Sequence, residues 1–215
     1  MRLLFVGAPA VGKGTQAKKL AAGLGVPHIS TGDILRDTAK QNTDLGHKVK
    51  KYIDLGSLVP DEVMMSIIED RFRKGDTKNG YILDGFPRTT AQAMGLDMLL
   101  ARLGQGITLV VLFECPDAVI MERIIERRSC PKCGTPYHLR WQKPKVEGVC
   151  DNDGTPLLQR VDDTRTKVFH RLDQYRSETA AVIPYYEKRG IVRRVNANQA
   201  PDDVSREVEA VVKKG

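Results

Sequence analysis

The chain has 215 residues, 41% of them apolar, which is enough for a hydrophobic core in one large domain or in a core that carries insertions. The apolar segment after Met1 is too short for a signal peptide, and no stretch approaches the roughly 20 apolar residues of a membrane span, so we expect a cytoplasmic protein with no membrane partner. The formal charge of +7 is spread along the chain rather than gathered in one tail or stripe, which argues against a nucleic-acid partner.

Strand and helix patterns alternate, which predicts an α/β fold with a central parallel sheet covered by helices on both faces. Strands are expected at 3–6, 26–29, 81–83, 107–113 and 191–195. Helices are expected at 13–24, 32–41, 44–54, 61–73, 90–102, 116–128, 163–189 and 201–213. From 129 to about 160, cysteines, prolines and glycines replace the periodic pattern, so this segment is predicted to be an insertion with a small structure of its own.

A glycine-rich segment at 7–15, Gly-Ala-Pro-Ala-Val-Gly-Lys-Gly-Thr, follows the first strand and opens the first helix. In that setting backbone N–H groups and the helix N-terminus can surround phosphate oxygens, and Lys13 can reach the outer phosphates. Gly14 stands where the general pattern has Ser or Thr, with Thr15 next. The alternative is an ordinary strand–helix turn, which rarely supplies all of these residues together, so the segment predicts a phosphate-binding loop.

Three of the four cysteines lie in the insertion. With Asp153 they form two short motifs, Cys130-x2-Cys133 and Cys150-x2-Asp153. Two such turns are what a tetrahedral structural zinc site requires, and either Asp153 or His138 could be its fourth ligand. Three free thiols, or one disulfide, are the alternatives. Cys115 lies in an apolar run and is expected to be a buried small hydrophobe.

Four motifs, in their order and spacing, closely resemble the adenylate kinase family over essentially the whole chain. They are Gly-Lys-Gly-Thr-Gln-Ala at 12–17, Ser-Thr-Gly-Asp at 30–33 with Arg36, Leu-Val-Pro-Asp at 58–61, and Asp-Gly-Phe-Pro-Arg at 84–88 with Gln92. The resemblance implies a P-loop kinase that catalyses ATP + AMP ⇌ two ADP in adenine nucleotide homeostasis, with Mg²⁺ accompanying ATP. It further implies a monomer whose partners are the small molecules ATP, AMP and ADP.

The resemblance also divides the chain into three parts. The core comprises 1–29, 60–128 and 161–215, a helical acceptor-binding segment for AMP spans 30–59, and a lid stapled by zinc spans 129–160. Asp162 and Asp163 match the family's aspartate pair at the returning edge of the lid, where the chain passes back from the lid into the core.

Residue by residue, the resemblance implies four groups of site residues. The catalytic group is Lys13, Asp84, Arg88, Arg123, Arg127, Arg160 and Arg171. The ATP-binding group is Ala10, Val11, Gly12, Lys13, Gly14, Thr15, Arg127, Thr135, Pro136, Tyr137 and Gln199. The AMP-binding group is Thr31, Arg36, Ser57, Leu58, Val59, Gly85, Phe86, Pro87, Arg88, Gln92, Arg160 and Arg171. The metal group is Cys130, Cys133, Cys150 and Asp153.

These residue types suit phosphoryl transfer, in which the protein must align two nucleotides and stabilise negative charge that spreads over the phosphate oxygens. Guanidinium groups bind phosphate bidentately and stay charged. Arg123 and Arg127 are spaced i, i+4, which predicts one helix face; the alternative is a solvated face paired with Glu122 and Glu126. Asp84 at the end of a buried strand is expected on the Mg²⁺ side of the donor site, with a turn cap as the alternative.

Three departures from the family pattern stand out. Ala10 replaces a usual glycine in the phosphate loop, and Glu126 replaces another on the helix that leads into the lid. The run 165–167, Arg-Thr-Lys, replaces a more acidic stretch after the aspartate pair. None of these removes a group that the chemistry requires.

Two other functions fit parts of the sequence. A kinase for UMP, CMP or GMP is disfavoured because the insertion is long and because Thr31 with Gln92 favours adenine. A zinc-ribbon nucleic-acid-binding protein would use Tyr137, Trp141 and Lys143 around the cysteines, but it leaves the phosphate loop unexplained.

Overall fold

A computed structural model describes residues 1–214 as a parallel sheet between layers of helices. The five sheet strands are β1 (Arg2–Gly7), β2 (His28–Ser30), β3 (Tyr81–Asp84), β4 (Leu109–Glu114) and β7 (Val192–Asn196), in the spatial order β2-β3-β1-β4-β7. Every pair is parallel, with Phe5 beside Asp84 on one side and beside Val111 on the other. The predicted fold class is confirmed.

Nine α-helices of the described chain connect and cover these strands. They are α1 (Lys13–Leu24), α2 (Thr31–Ala39), α3 (Asp44–Leu55), α4 (Asp61–Phe72), α5 (Thr90–Arg102), α6 (Asp117–Ile125), α7 (Arg165–Ser177), α8 (Val182–Glu187) and α9 (Pro201–Lys214). None of these helices is long and apolar enough to cross a membrane.

The two faces of the sheet bury separate apolar clusters because successive strand side chains alternate. Leu4 and Val6 of β1 pack in the cluster that includes α4 and α5. Leu3 and Phe5 pack in the opposite cluster with α1 and α9. A strand that is buried on both faces must be apolar throughout, which explains the uninterrupted run that opens the chain.

Helix α6 is shorter than the predicted helix 116–128 and ends at Ile125. The next residues form β5 (Arg127–Ser129), which pairs antiparallel with β6 (Pro136–His138) in the lid. The prediction that Arg123 and Arg127 share one helix face is therefore wrong, because Arg127 belongs to a strand. Distant backbone groups, including the carbonyl of Leu158 that accepts from Ser129 N, supply the hydrogen bonds that another helical turn would have made.

The predicted helix 163–189 is also divided. It consists of α7, a 3₁₀ turn at Thr179–Ala181 and α8. Pro184 lies in the first turn of α8, and because it has no N–H it cannot bond back to the carbonyl of residue 180. The break therefore falls where proline interrupts the helical ladder.

Candidate active site

A cleft of about 930 Å³ opens at the carboxyl ends of β1 and β3. Ligands bind at this edge of open parallel sheets, outside the carboxyl ends of the strands. The cleft is lined by the phosphate loop, the end of β3, the lid and α7. Residues that are far apart in sequence therefore meet in one cavity.

The phosphate loop bends sharply between β1 and α1. Gly7 has φ 150°, and a Cβ there would lie 2.7 Å from the carbonyl oxygen of Phe113, so only glycine fits. Gly12 has φ 105° immediately before α1 begins. Ala10, which departs from the family pattern, takes φ 55°, a left-handed conformation that costs a non-glycine residue roughly 1–2 kcal/mol. The loop thus keeps its bend at the expense of some local strain.

Lys13 begins α1 and directs its ammonium group into the loop. Its Nζ donates to the carbonyl oxygens of Gly7 and Ala8, each at 2.8 Å. The pKa of Lys13 is lowered to about 8, chiefly by burial. The negative charge of Asp84 opposes this shift, and the positive charges of Arg88, Arg171 and Arg127 add to it. A bound anion is what would stabilise the charged form of this lysine.

Three of the predicted arginines are paired with carboxylates. Arg127 Nε donates to Asp163 at 2.8 Å, Arg171 donates to Asp162 at 2.8 Å, and Arg36 pairs with Asp33 at 2.6 Å. The aspartate pair at the returning edge of the lid thus orients Arg127 and Arg171. These ion pairs hold long side chains in place at the wall of the cleft.

Two other arginines have no carboxylate within ion-pair distance in residues 1–214. Arg88 Nε donates to the carbonyl of Gly85 at 2.8 Å, and Arg160 Nε donates to Ser129 Oγ at 2.9 Å. Burial lowers the pKa of each guanidinium to about 10. Because an unpaired charge that is largely removed from water is costly, these two half-buried side chains are arranged to receive an anion.

Asp84 closes β3 and is only 9% exposed as a whole residue. Its Oδ2 lies 3.4 Å from His28 Nε2, and the carboxylate accepts no hydrogen bond from the described part of the chain. A Cβ placed on Gly14 would be 3.3 Å from Oδ2, so the carboxylate abuts the N-terminus of α1. A free hard oxygen beside the phosphate loop fits the ligand preference of Mg²⁺.

The structure brings most of the predicted nucleotide contacts to the cleft, though not all. In the ATP group, the residues that line the cleft are 10–15, Arg127, Pro136, Tyr137 and Gln199. Thr135 does not line it. From the AMP group, the residues that line it are Arg36, Leu58, 85–88, Arg160 and Arg171, while Thr31, Ser57, Val59 and Gln92 do not.

Gln92 is buried behind the cleft wall with its amide already engaged. Its Oε1 accepts from Arg88 N at 2.7 Å, and its Nε2 donates to Asp61 Oδ1 at 2.7 Å. Thr31 is equally enclosed, and its Oγ1 donates to the carbonyl of Asp84 at 3.1 Å. Both side chains support the strand end and the loop that carries Arg88.

Sequence reasoning missed an aromatic wall at the lid side of the cleft. His138 and Trp141 stack at 4.2 Å with an interplanar angle of 16°, and the guanidinium of Arg123 lies 5.6 Å from the centre of the Trp141 ring. Arg140 bonds to Glu122 and Glu126, each at 2.6 Å, which gives the unusual Glu126 a role in anchoring the lid to α6. The only sequence signal for this wall was the solitary tryptophan.

The cysteine cluster lies in the lid, apart from the cleft. One ligand atom from each of Cys130, Cys133, Cys150 and Asp153 lies within 4.8 Å of all the others. The Sγ atoms of Cys133 and Cys150 are 3.5 Å apart, and Cys130 Sγ is 3.4 Å from Asp153. Tetrahedral zinc would place such ligands roughly 3.5–3.8 Å apart, so the group fits the metal.

His138, the other candidate for the fourth ligand, is not part of this cluster. Its Nδ1 accepts from the backbone N–H of Arg140 at 3.1 Å. Cys115, expected to be buried, is half-buried and packs beside the apolar clusters of the core.

Comparison with known proteins matches nearly the whole chain to adenylate kinases. The sequence model described as adenylate kinase matches residues 5–191. An adenylate kinase of Lachnospira eligens is 47% identical over 204 residues, which is 95% of this chain and 96% of the relative. Adenylate kinases of Caldicellulosiruptor saccharolyticus and Caldicellulosiruptor bescii are 47% and 48% identical over 208 residues, which is 97% of each chain.

Proposed function

Since this chain belongs to the adenylate kinase family, and is thus an enzyme that transfers a phosphoryl group between ATP and AMP, we propose how its residues carry out that reaction. The observation that carries the proposal is a pair of half-buried arginines, Arg88 and Arg160, that line the same cleft as Lys13 and have no carboxylate partner within residues 1–214. Their charge matches a reaction in which phosphate groups meet and negative charge spreads.

ATP binds as donor over the phosphate loop. The backbone N–H groups at 10–15 and the N-terminus of α1 surround its phosphates, and Lys13 exchanges its two carbonyl contacts for phosphate oxygens. The base lies beside Arg123 and the stacked pair of His138 and Trp141, near Gln199.

AMP binds as acceptor beneath the helical segment 30–59. Arg36 and Arg88 hold its phosphate, while Arg160 and Arg171 contact the group in transfer. Guanidinium groups fixed before the reaction stabilise the transferring phosphoryl group without reorganisation, which lowers the barrier. Arg88 matters most at the transition state because it bridges acceptor and transferred group.

Asp84 and Thr15 would hold Mg²⁺, which supplies positive charge to the phosphate oxygens when it is bound with ATP. Asp84 does so with a carboxylate that no described donor occupies. Its place beside Gly14 puts that charge next to the outer phosphates.

Two segments close over this site, 30–59 above the acceptor and 129–160 above the donor. The core on which they close comprises 1–29, 60–128 and 161–215, of which Gly215 lies outside the described residues. Closure excludes water, which would otherwise accept the phosphoryl group. Contacts between the lid and the core, such as Lys18 Nζ on the carbonyl of Gly134 at 2.9 Å, support a closing lid.

Zinc in the cluster of Cys130, Cys133, Cys150 and Asp153 gives the lid its shape and takes no part in the chemistry. The buried apolar residues of the lid are only Cys130, Tyr137 and Cys150, with Leu157 beside them, so a metal stabilises what the apolar core cannot. We further propose a cytoplasmic monomer that acts on free nucleotides and binds no nucleic acid.

Steady-state turnover with MgATP and each monophosphate in turn tests this function. AMP should be used far better than GMP, CMP or UMP, and a gel-shift titration with single-stranded RNA should show no binding. Preference for another monophosphate would reassign the acceptor. Tight RNA binding without turnover would favour the zinc-ribbon alternative.

A further inference from the structure

His28 lies against the carboxylate of Asp84 in the cleft. It is on β2, where His28 pairs with Ile82 and Ser30 pairs with Asp84 of β3. Because strand side chains alternate, His28 and Asp84 point to the same face of the sheet. Both line the cleft, and each side chain is 12% exposed.

The contact is specific in its chemistry. Nε2 of His28 is 3.4 Å from Asp84 Oδ2, and this buried nitrogen has no hydrogen-bond partner within residues 1–214. A carboxylate can only accept, so the imidazole nitrogen that faces it must carry the proton. At 3.4 Å the contact is longer than a formed hydrogen bond of 2.7–3.2 Å, so a small rotation of either side chain completes it.

We propose that His28 is a positioning residue for phosphoryl transfer, acting through Asp84. Its Nε2–H donates to Oδ2 and fixes the carboxylate beside the phosphate loop, where it would hold the Mg²⁺ that accompanies ATP. This inference rests on the proposed function, in which Asp84 serves the Mg²⁺ that accompanies ATP.

Lys13 explains why Asp84 needs a restraint. Asp84 attracts the ammonium group of Lys13, as the rise it causes in the pKa of that lysine shows. A carboxylate free to rotate would move towards this cation and draw it away from the phosphates. An N–H donor on Oδ2 holds the carboxylate against this pull.

A structural role alone accounts less well for histidine at this place. An apolar side chain would fill the same space beside β3 without leaving a polar nitrogen buried and unpartnered, which costs about 1–3 kcal/mol. The polar atom points to the reacting side of the sheet, and the neighbouring Ile29 packs into the apolar cluster on the other side.

The test compares variants that keep or lose the donor. His28→Leu and His28→Val remove it, whereas His28→Gln places an amide N–H near the position of Nε2. Ile29→Val is the matched control, because it loosens packing on the same strand without touching Asp84. Each folded variant is measured by kcat, by KM for AMP, and by calorimetric titration of Mg²⁺ into the enzyme saturated with ADP.

Loss of the donor should lower kcat and weaken Mg²⁺ binding, each by about tenfold or more, with KM for AMP changed by less than about twofold. His28→Gln should restore both within about threefold, and Ile29→Val should change neither. Wild-type Mg²⁺ affinity in either donor-free variant would overturn the inference, as would a glutamine variant no better than leucine. Failure of the wild type to convert ATP and AMP would instead refute the proposed function.

Discussion

Lys13 should take up a proton when nucleotide binds at alkaline pH. In the free protein, burial holds the pKa of Lys13 near 8 instead of the ordinary 10.5. Phosphate oxygens in the loop should raise it back, because they favour the charged ammonium. A group whose pKa rises on binding strengthens binding fully below its free pKa, here about 8, and this contribution is lost as pH rises towards the bound pKa.

The size of the effect follows from the two pKa values. If binding restores 10.5, the complex gains about 0.5 proton at pH 8 and about 0.9 at pH 9. The affinity for MgATP should then fall about twentyfold between pH 7.5 and 9.5, close to 1.8 kcal/mol. Phosphate groups are fully ionised throughout this range, so they add no proton of their own.

Isothermal titration of MgATP in buffers with different ionisation enthalpies measures the proton uptake directly. The observed enthalpy should vary with the buffer at pH 8 and pH 9, with slopes equal to those proton numbers. Lys13→Met should bind more weakly, with no proton uptake between pH 8 and 9, and should lose about 3 kcal/mol or more of barrier lowering. Identical enthalpies in every buffer for the wild-type protein would show that Lys13 does not change its protonation state on binding, which would contradict the lowered pKa of the free protein.

Three further outcomes follow from the site and the lid. Arg88→Ala should lower kcat/KM for AMP at least a hundredfold while the Kd for ATP changes by less than about threefold, and equal losses in both would contradict its transition-state role. Cys130→Ser should release zinc and lower Tm with little loss of activity at low temperature, whereas Asp153→Cys should keep the metal. Metal analysis and calorimetry measure both effects, and a wild-type protein without stoichiometric zinc would contradict both expectations. A bisubstrate analogue should slow hydrogen exchange in 30–59 and in 129–160, and unchanged exchange in both would rule out two closing segments.

Much of the fold was predictable because it depends on local patterns. Continuous apolar runs identified the buried strands, and the glycines around Lys13 predicted a loop that the structure forms with Gly7 and Gly12 at positive φ. The pairs at Cys130 and Cys150 predicted a cluster whose ligand atoms indeed converge. In each case the residues that define the feature lie within a few positions of one another.

Features that depend on distant backbone partners were not predictable in this way. The segment around Arg127 was predicted to be helical, yet it forms strand β5 because the lid strand at Pro136–His138 supplies its hydrogen-bond partners. The resemblance places Gln92 among the AMP contacts, but only the structure shows that Asp61 and the backbone of Arg88 engage both ends of its amide.

The sequence alone determined the fold class, the phosphate loop and the set of lysine and arginine side chains at the site, since these depend on local spacing and residue type. It could not determine which cations remain unpaired. Only the packed chain puts Asp163 on Arg127 and Asp162 on Arg171, while Arg88 and Arg160 have no carboxylate partner among the residues that the structure describes. The same holds for His28, which meets Asp84 because β2 pairs with β3, an alignment set across more than fifty residues of intervening chain. Charge pairing depends on distances of a few ångströms in space, and separation along the chain does not fix them.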